Sequence, residues 1–141
     1  VLMVAHTGIA ATLLINGTTV HRQFCVPLNA EEDANSRVEV NSSLEEKLTQ
    51  AEVIIWDEAT MSDKRVLQCV EKLLSELNPS TNRPFGGKCI LLGGDWKQLL
   101  PVVKGAYGVQ ILDFTLKRSI LWQYFEVLRL KKNMRVEEGA E

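Results

Sequence analysis

Cysteine, histidine and proline are all scarce in this sequence, and so is any excess of basic charge. The three cysteines, Cys25, Cys69 and Cys89, stand 44 and 20 residues apart with no CxxC pair, and only two histidines accompany them. That spacing suits neither a zinc site nor a disulfide framework, and buried thiols in a reducing compartment are expected instead. Four prolines and a charged fraction of 24% exclude a disordered, low-complexity chain. Lysine and arginine number 16 against 18 acidic residues, for a net charge of -2. The chain therefore lacks the broad basic field of a small DNA-binding module, although a protein that grips nucleic acid in one groove can be mildly acidic overall. No apolar run approaches the roughly 20 residues of a membrane span, and the opening residues do not read as a secretory leader. The chain begins on Val1 rather than Met, directly in an apolar run. It is expected to be a piece of a longer protein.

What is present is a core. A hydrophobic content of 45% over 141 residues suits one globular domain. Three apolar runs have strand length and β-branched content: Val1 to Ala5, Val53 to Trp56, and Cys89 to Leu92. Each stops abruptly in polar or glycine-rich sequence, and their unbroken apolar character predicts strands buried on both faces of a parallel sheet. Val127 to Leu130 is a shorter fourth candidate. Helical signals fall between the runs. Ser43 and Glu46 have capping-box spacing at the start of a short helix. After Ser62, the positions Val66, Leu67, Val70, Leu73, Leu74 and Leu77 form one apolar face, closed by Asn78-Pro79. That stripe reads as core packing. Segment 29–42 reads as a polar surface excursion and segment 78–88 as a loop. Strands alternating with helices predict an α/β fold.

Three stretches can carry chemistry. In VIIWDEAT (53–60) a strand delivers Asp57 and Glu58 at its C-terminal end, the rim where α/β folds bind ligands. In a phosphate-loop ATPase the first such carboxylate holds magnesium and the second deprotonates the attacking water. An apolar run ending in two carboxylates also closes strands that do no chemistry. In ILLGGDWKQLLPV (90–102) a second strand runs into two glycines, then Asp95, Lys97 and Gln98. Glutamine can donate to a phosphate oxygen and accept from a water, or simply decorate a polar turn. Both rims lie on successive strands and are expected to face one crevice. In HTGIAATLLINGTTVHRQF (6–24), Thr7, Thr18, Thr19 and His21 offer short donors and a flat ring suited to phosphates and bases, or ordinary helix capping.

Together, in order and spacing, these stretches resemble the petite-integration-frequency (PIF) family of superfamily 1 DNA helicases. TGIAA with NGTTVHRQF resembles that family's first DNA-contacting motif, and IIWDEATM its Walker B motif. PFGGK with ILLGGDWKQLLPV resembles its third motif, with Trp96 where phenylalanine is commoner, a volume-tolerant exchange. SILWQYFEVLRLKKNMR resembles the approach to its fourth. The resemblance covers nearly the whole chain.

The resemblance implies a RecA-like phosphate-loop NTPase motor domain with a parallel sheet. It implies ATP and Mg2+ as cofactors, 5′-to-3′ translocation on single-stranded DNA, and unwinding of duplex DNA and G-quadruplexes. Repair, recombination and telomere maintenance are the pathways it suggests. Carried over residue by residue, Asp57 would hold magnesium and Glu58 would activate water. Gln98 would sense the γ-phosphate, and Arg135 would act as an arginine finger. Thr7, Gly8, Thr19 and His21 would line the DNA path. The phosphate-loop pattern G-x-x-x-x-G-K-[ST] occurs nowhere in the 141 residues. Residues 1–141 are therefore expected to form a partial first motor domain, incomplete at its N-terminus and inactive toward ATP alone. The loop would lie upstream and a second motor domain downstream. A monomeric intracellular protein is expected, without membrane association, in the nucleus or alternatively the mitochondrion. A catalytically dead nucleic-acid-binding remnant, a rolling-circle (Helitron) transposon copy and an unrelated phosphate-loop ATPase are the competing readings.

Overall fold

The computed structural model describes residues 1–132. Its centre is a parallel sheet of four strands in the order β2-β1-β3-β4, with β1 Leu2–Ala5, β2 Thr18–Thr19, β3 Val53–Asp57 and β4 Cys89–Leu92. The register pairs Val4 with Thr18, Val4 with Trp56, and Trp56 with Leu92. All three pairings are parallel, so every strand ends at the same rim. The α-helices among the described residues are α1 Gly8–Thr12, α2 Val20–Gln23, α3 Ser43–Gln50 and α4 Lys64–Leu77. The α/β architecture with a parallel sheet is the one the alternating pattern predicts.

The core lies on one face of the sheet. Val4, Ile54 and Trp56 are wholly buried and share a hydrophobic cluster with Leu67, Val70 and Leu74 of α4 and with Val20, Phe24 and Leu48. The leucine stripe of α4 therefore does what its spacing requires. Val66, Leu67, Cys69, Val70, Leu73 and Leu74 are buried, and Leu77 packs at the margin of the cluster. Asp63 caps the helix, accepting from the Arg65 amide at 2.8 Å while its carboxylate pairs with the Arg65 guanidinium.

Burial on both faces is not what the structure shows. Side chains alternate along β3, with Ile54 and Trp56 buried and Val53 and Ile55 half-buried, and Leu91 of β4 is 52% exposed. On that second face, Ala10 and Ala11 of the short α1 pack on Ala5. Apolar composition leaves the two faces alike, and only the placement of the helices separates them.

Local signals differ from the sequence reading in three further places. The cap of α3 is Ser42, whose side chain accepts from the Glu45 amide, while Glu45 accepts from the Asn41 amide. The Ser-x-x-Glu pair is thus Ser42 with Glu45, one residue ahead of Ser43 and Glu46, because Ser42 is the last extended residue (ψ 157°). Val127 to Leu130 is irregular and exposed, with Leu128 at 78%, since the run has no described strand beside it to complete a ladder. Cys69 is buried, and burial raises its thiol pKa. Cys25 is half-buried and Cys89 exposed on the edge strand β4, so the expectation of three buried thiols fails for two of them.

The polar segment 29–42 runs over the surface but is tied down. The Ser36 hydroxyl donates to the Phe24 carbonyl at 2.7 Å, and the Arg37 amide donates to the Cys25 carbonyl at 3.1 Å. In the loop before β4, Phe85 and Gly86 both adopt positive φ, at 58° and 61°. Gly86 lies against the last turns of α4, where an added Cβ would overlap the Leu74 carbonyl oxygen. Lys88 donates to the carbonyls of Thr49 and Ala51 at 2.9 and 2.8 Å, closing the C-terminal end of α3. Among the described residues no helix is long and apolar enough to cross a membrane.

Candidate nucleotide-hydrolysis site

The parallel register brings the ends of β1 and β3 side by side, Ala5 opposite Asp57, and the His6 amide extends the pairing by donating to the Asp57 carbonyl at 3.1 Å. Asp57 is the last residue of β3 and is half-buried. Its Oδ1 accepts from the backbone amide of Glu58 at 2.9 Å, and Oδ2 has no protein partner among the described residues. Glu58 follows in the left-handed region (φ 52°, ψ 30°), which breaks the strand and turns the side chain across the sheet rim. There its Oε2 accepts from the Thr7 hydroxyl at 2.8 Å.

The second rim meets the first. The Gly93 amide donates to the Trp56 carbonyl and the Ala59 amide donates to the Gly93 carbonyl, both at 2.8 Å. The Thr60 hydroxyl donates to the Asp95 carbonyl at 3.3 Å. A Cβ at Gly93 would lie 3.4 Å from Asp57 Oδ1, and one at Gly94 would come within 2.7 Å of Thr60 Oγ1. The paired glycines therefore let the loop after β4 close over the carboxylate turn after β3, as expected of rims sharing one crevice. Thr60 carries that contact, and its local sequence pattern assigned it no role. Its only signal was its place in the DEAT quartet.

Thr7 faces Glu58 and also caps α1, accepting from the Ala10 amide at 3.2 Å. Thr19 caps α2, accepting from the Arg22 amide at 3.3 Å, and Nδ1 of His21 lies 3.2 Å from the Val26 carbonyl. Gly8 is exposed, with nothing within 4 Å of an added Cβ. Gln98 is exposed in the turn after Asp95 and bonds to neither carboxylate. Arg135 lies outside the described residues. His6, His21, Arg65 and Lys104 are among the residues that line an open hollow of about 390 Å³. Nδ1 of His6 lies 2.9 Å from the buried Ser62 hydroxyl. Burial, and then the charge of His21, lower the His6 pKa against an opposing pull from Glu58.

The site fits a magnesium–nucleotide complex on chemical grounds. Mg2+ takes hard oxygen donors and is usually bound through one or two carboxylates, with phosphate oxygens and water completing the shell. Asp57 Oδ2 is such an oxygen, at a rim closed by glycines rather than side chains. Among the described residues no cluster of three His, Cys, Asp or Glu could hold a metal by itself. A site of this kind does not need one.

A parallel α/β sheet whose adjacent strand ends present two successive carboxylates under a glycine loop belongs to the class of α/β nucleotide-binding domains. Comparison with known proteins narrows the class. The profile of the PIF1-like helicase family matches residues 1–141, and the chain belongs to that family. It is 30% identical over 139 residues to the ATP-dependent DNA helicase Pif1 of Psychrobacter sp. (strain PRwf-1), covering 96% of this chain and 20% of that protein. To the ATP-dependent DNA helicase PIF1 of Candida albicans it is 33% identical over 106 residues, covering 74% of this chain and 12% of that protein. The chain thus spans a fifth or less of these relatives. Among solved structures, Pif1 helicase from Bacteroides in complex with ADP-AlF3 and ssDNA superposes with a TM-score of 0.81 at 27% identity. That match covers 98% of this chain and 33% of the other. Pif1 helicase from Candida albicans gives 0.67 at 28% identity, over 86% of this chain and 26% of the other.

Proposed function

We propose that this chain is part of the first of two RecA-like motor domains of an ATP-dependent DNA helicase. ATP hydrolysis at the rim of β1 and β3 would drive 5′-to-3′ movement along single-stranded DNA and the opening of duplexes. Repair, recombination and telomere maintenance are the processes such an activity would serve, inside the cell and in the nucleus of a eukaryotic host. The observation that carries the reading is the juxtaposition of Asp57 and Glu58 at the strand end, with the Glu58 carboxylate held by Thr7 just beyond β1 and Gly93 packed beside Asp57. Support from relatives is of two kinds: their names as ATP-dependent DNA helicases, and a similar Bacteroides structure that holds ADP-AlF3 and ssDNA.

In this reading the free oxygen of Asp57 would hold the metal. Bound Mg2+ would neutralise charge on the β- and γ-phosphates. Glu58 Oε1, which has no protein partner among the described residues, accepts the proton of the attacking water while Oε2 stays on Thr7. Gln98, exposed just beyond the glycine loop, reads the γ-phosphate from the solvent side. Arg135 serves as the arginine finger. Gly8, Thr19 and His21 flank the DNA path, and Lys104, which lines the same hollow as His21, supplies charge for phosphates.

The test is Glu58→Gln in a helicase polypeptide that carries this chain together with a phosphate-binding loop. The substitution preserves shape and removes the base. DNA-stimulated turnover should fall by about 10²–10⁴-fold while nucleotide affinity is kept. Retention of most of the unsubstituted rate would show that Glu58 is not the base.

A further inference from the structure

Thr7 stands in the stretch that resembles a DNA-contacting motif, yet its hydroxyl is committed elsewhere. It donates to Glu58 Oε2 at 2.8 Å across 51 residues of sequence, and its oxygen accepts from the Ala10 amide at 3.2 Å. Both partners are fixed by backbone. Thr7 is the extended N-cap of α1, two residues past the end of β1. Glu58 occupies the left-handed turn one residue past the end of β3. The Ala5–Asp57 register and the bond from the His6 amide to the Asp57 carbonyl lock the two turns together. A carboxylate on a three-torsion side chain otherwise samples several rotamers, and a general base works only within hydrogen-bond reach of its water.

We infer that Thr7 is a positioning residue for Glu58. Its hydroxyl holds Oε2 and leaves Oε1 as the single oxygen presented to the attacking water. The helix cap in turn fixes the hydroxyl, because the amide of Ala10 occupies one lone pair and directs the proton toward Glu58. This rests on the reading of Glu58 as the base.

Three substitutions separate the roles, made in a helicase polypeptide carrying this chain and a phosphate-binding loop. Thr7→Ser keeps cap and donor, Thr7→Asp keeps the cap without a hydroxyl to donate, and Thr7→Val removes both. Thr7→Val and Thr7→Asp should lower kcat roughly 10- to 100-fold, the order of effect a misplaced catalytic group produces, with KM for ATP little changed. Thr7→Ser should restore most of the rate. Single-stranded DNA affinity by fluorescence anisotropy, and affinity for a non-hydrolysable ATP analogue, should stay at unsubstituted values in all three.

Wild-type kcat in Thr7→Val would overturn the inference. So would recovery in Thr7→Asp, which assigns the effect to the cap, or a loss in kcat that follows weakened DNA affinity, which assigns it to a DNA contact. Glu58→Gln measured alongside keeps the two readings apart. If it retains turnover, the base is misassigned; if it collapses while Thr7→Val does not, only the role of Thr7 fails.

Discussion

Replacing Gly94 with alanine tests the closure of the two rims. An added Cβ would sit 2.7 Å from Thr60 Oγ1, 2.8 Å from Thr60 Cγ2 and 3.1 Å from the Thr60 backbone nitrogen. Thr60 cannot simply swing away. It is 7% exposed, its hydroxyl donates to the Asp95 carbonyl, and its neighbour Ala59 is bonded to Gly93. One methyl forced into such a place costs about 1–3 kcal/mol through displaced side chains and backbone. Gly8→Ala is the internal control, because its Cβ meets nothing within 4 Å and Gly8 opens α1. There alanine should be neutral or stabilising by up to about 1 kcal/mol. Denaturant titration with m held constant reads both changes as shifts in midpoint. The cycle with Thr60→Ala adds specificity. Removing Oγ1 and Cγ2 takes away the two closest contacts, so the double variant should recover part of the loss, with a coupling of about 0.5–3 kcal/mol. If Gly94→Ala is no more destabilising than Gly8→Ala, or shows no coupling to Thr60, the loop does not close over the carboxylate turn as described.

Two further outcomes follow from single side chains. Because burial lowers the His6 pKa in the folded state, the unfolded chain binds more protons below its own value of about 6.5. Stability should therefore be full above that pH and decline as pH falls toward the lowered folded value, and His6→Gln should flatten the decline in unfolding midpoints measured between neutral and mildly acidic pH. An unchanged slope would contradict the lowered pKa of this half-buried imidazole. Arg135→Ala, in a helicase polypeptide with a phosphate-binding loop, should depress steady-state ATPase by roughly 10³–10⁵-fold. Arg135→Lys should rescue poorly for want of the planar fork, and DNA-stimulated turnover at the unsubstituted rate in Arg135→Ala would make the residue an ordinary surface charge.

Strands β1, β3 and β4 and the α4 stripe were legible because each is a local pattern: an apolar run of strand length, or leucines at helical spacing. The Asp57–Glu58 pair was legible for the same reason, as two carboxylates at the end of such a run. Strand β2, only two residues long, was not. Thr18 and Thr19 carry no strand pattern and become a strand only because β1 offers them an edge. The cap at Ser42 rather than Ser43 was decided by which backbone turned helical first, and two adjacent serines encode that choice almost equally.

The sequence alone determined the class of fold, the places of β1, β3, β4 and α4, and the rim where the carboxylates stand. Tertiary structure decided what each short polar side chain does there. Thr7 looks the same in sequence whether it faces a phosphate or Glu58, since a hydroxyl serves either. Only the parallel register of β1 against β3, which sets Ala5 beside Asp57, brings its oxygen to 2.8 Å from the carboxylate. The closeness of Gly94 to Thr60, 34 positions apart in sequence, is likewise a product of adjacent strand ends. Such contacts depend on which strands become neighbours. Local pattern does not encode that, and the packing of α4 and the loops around the sheet settles it.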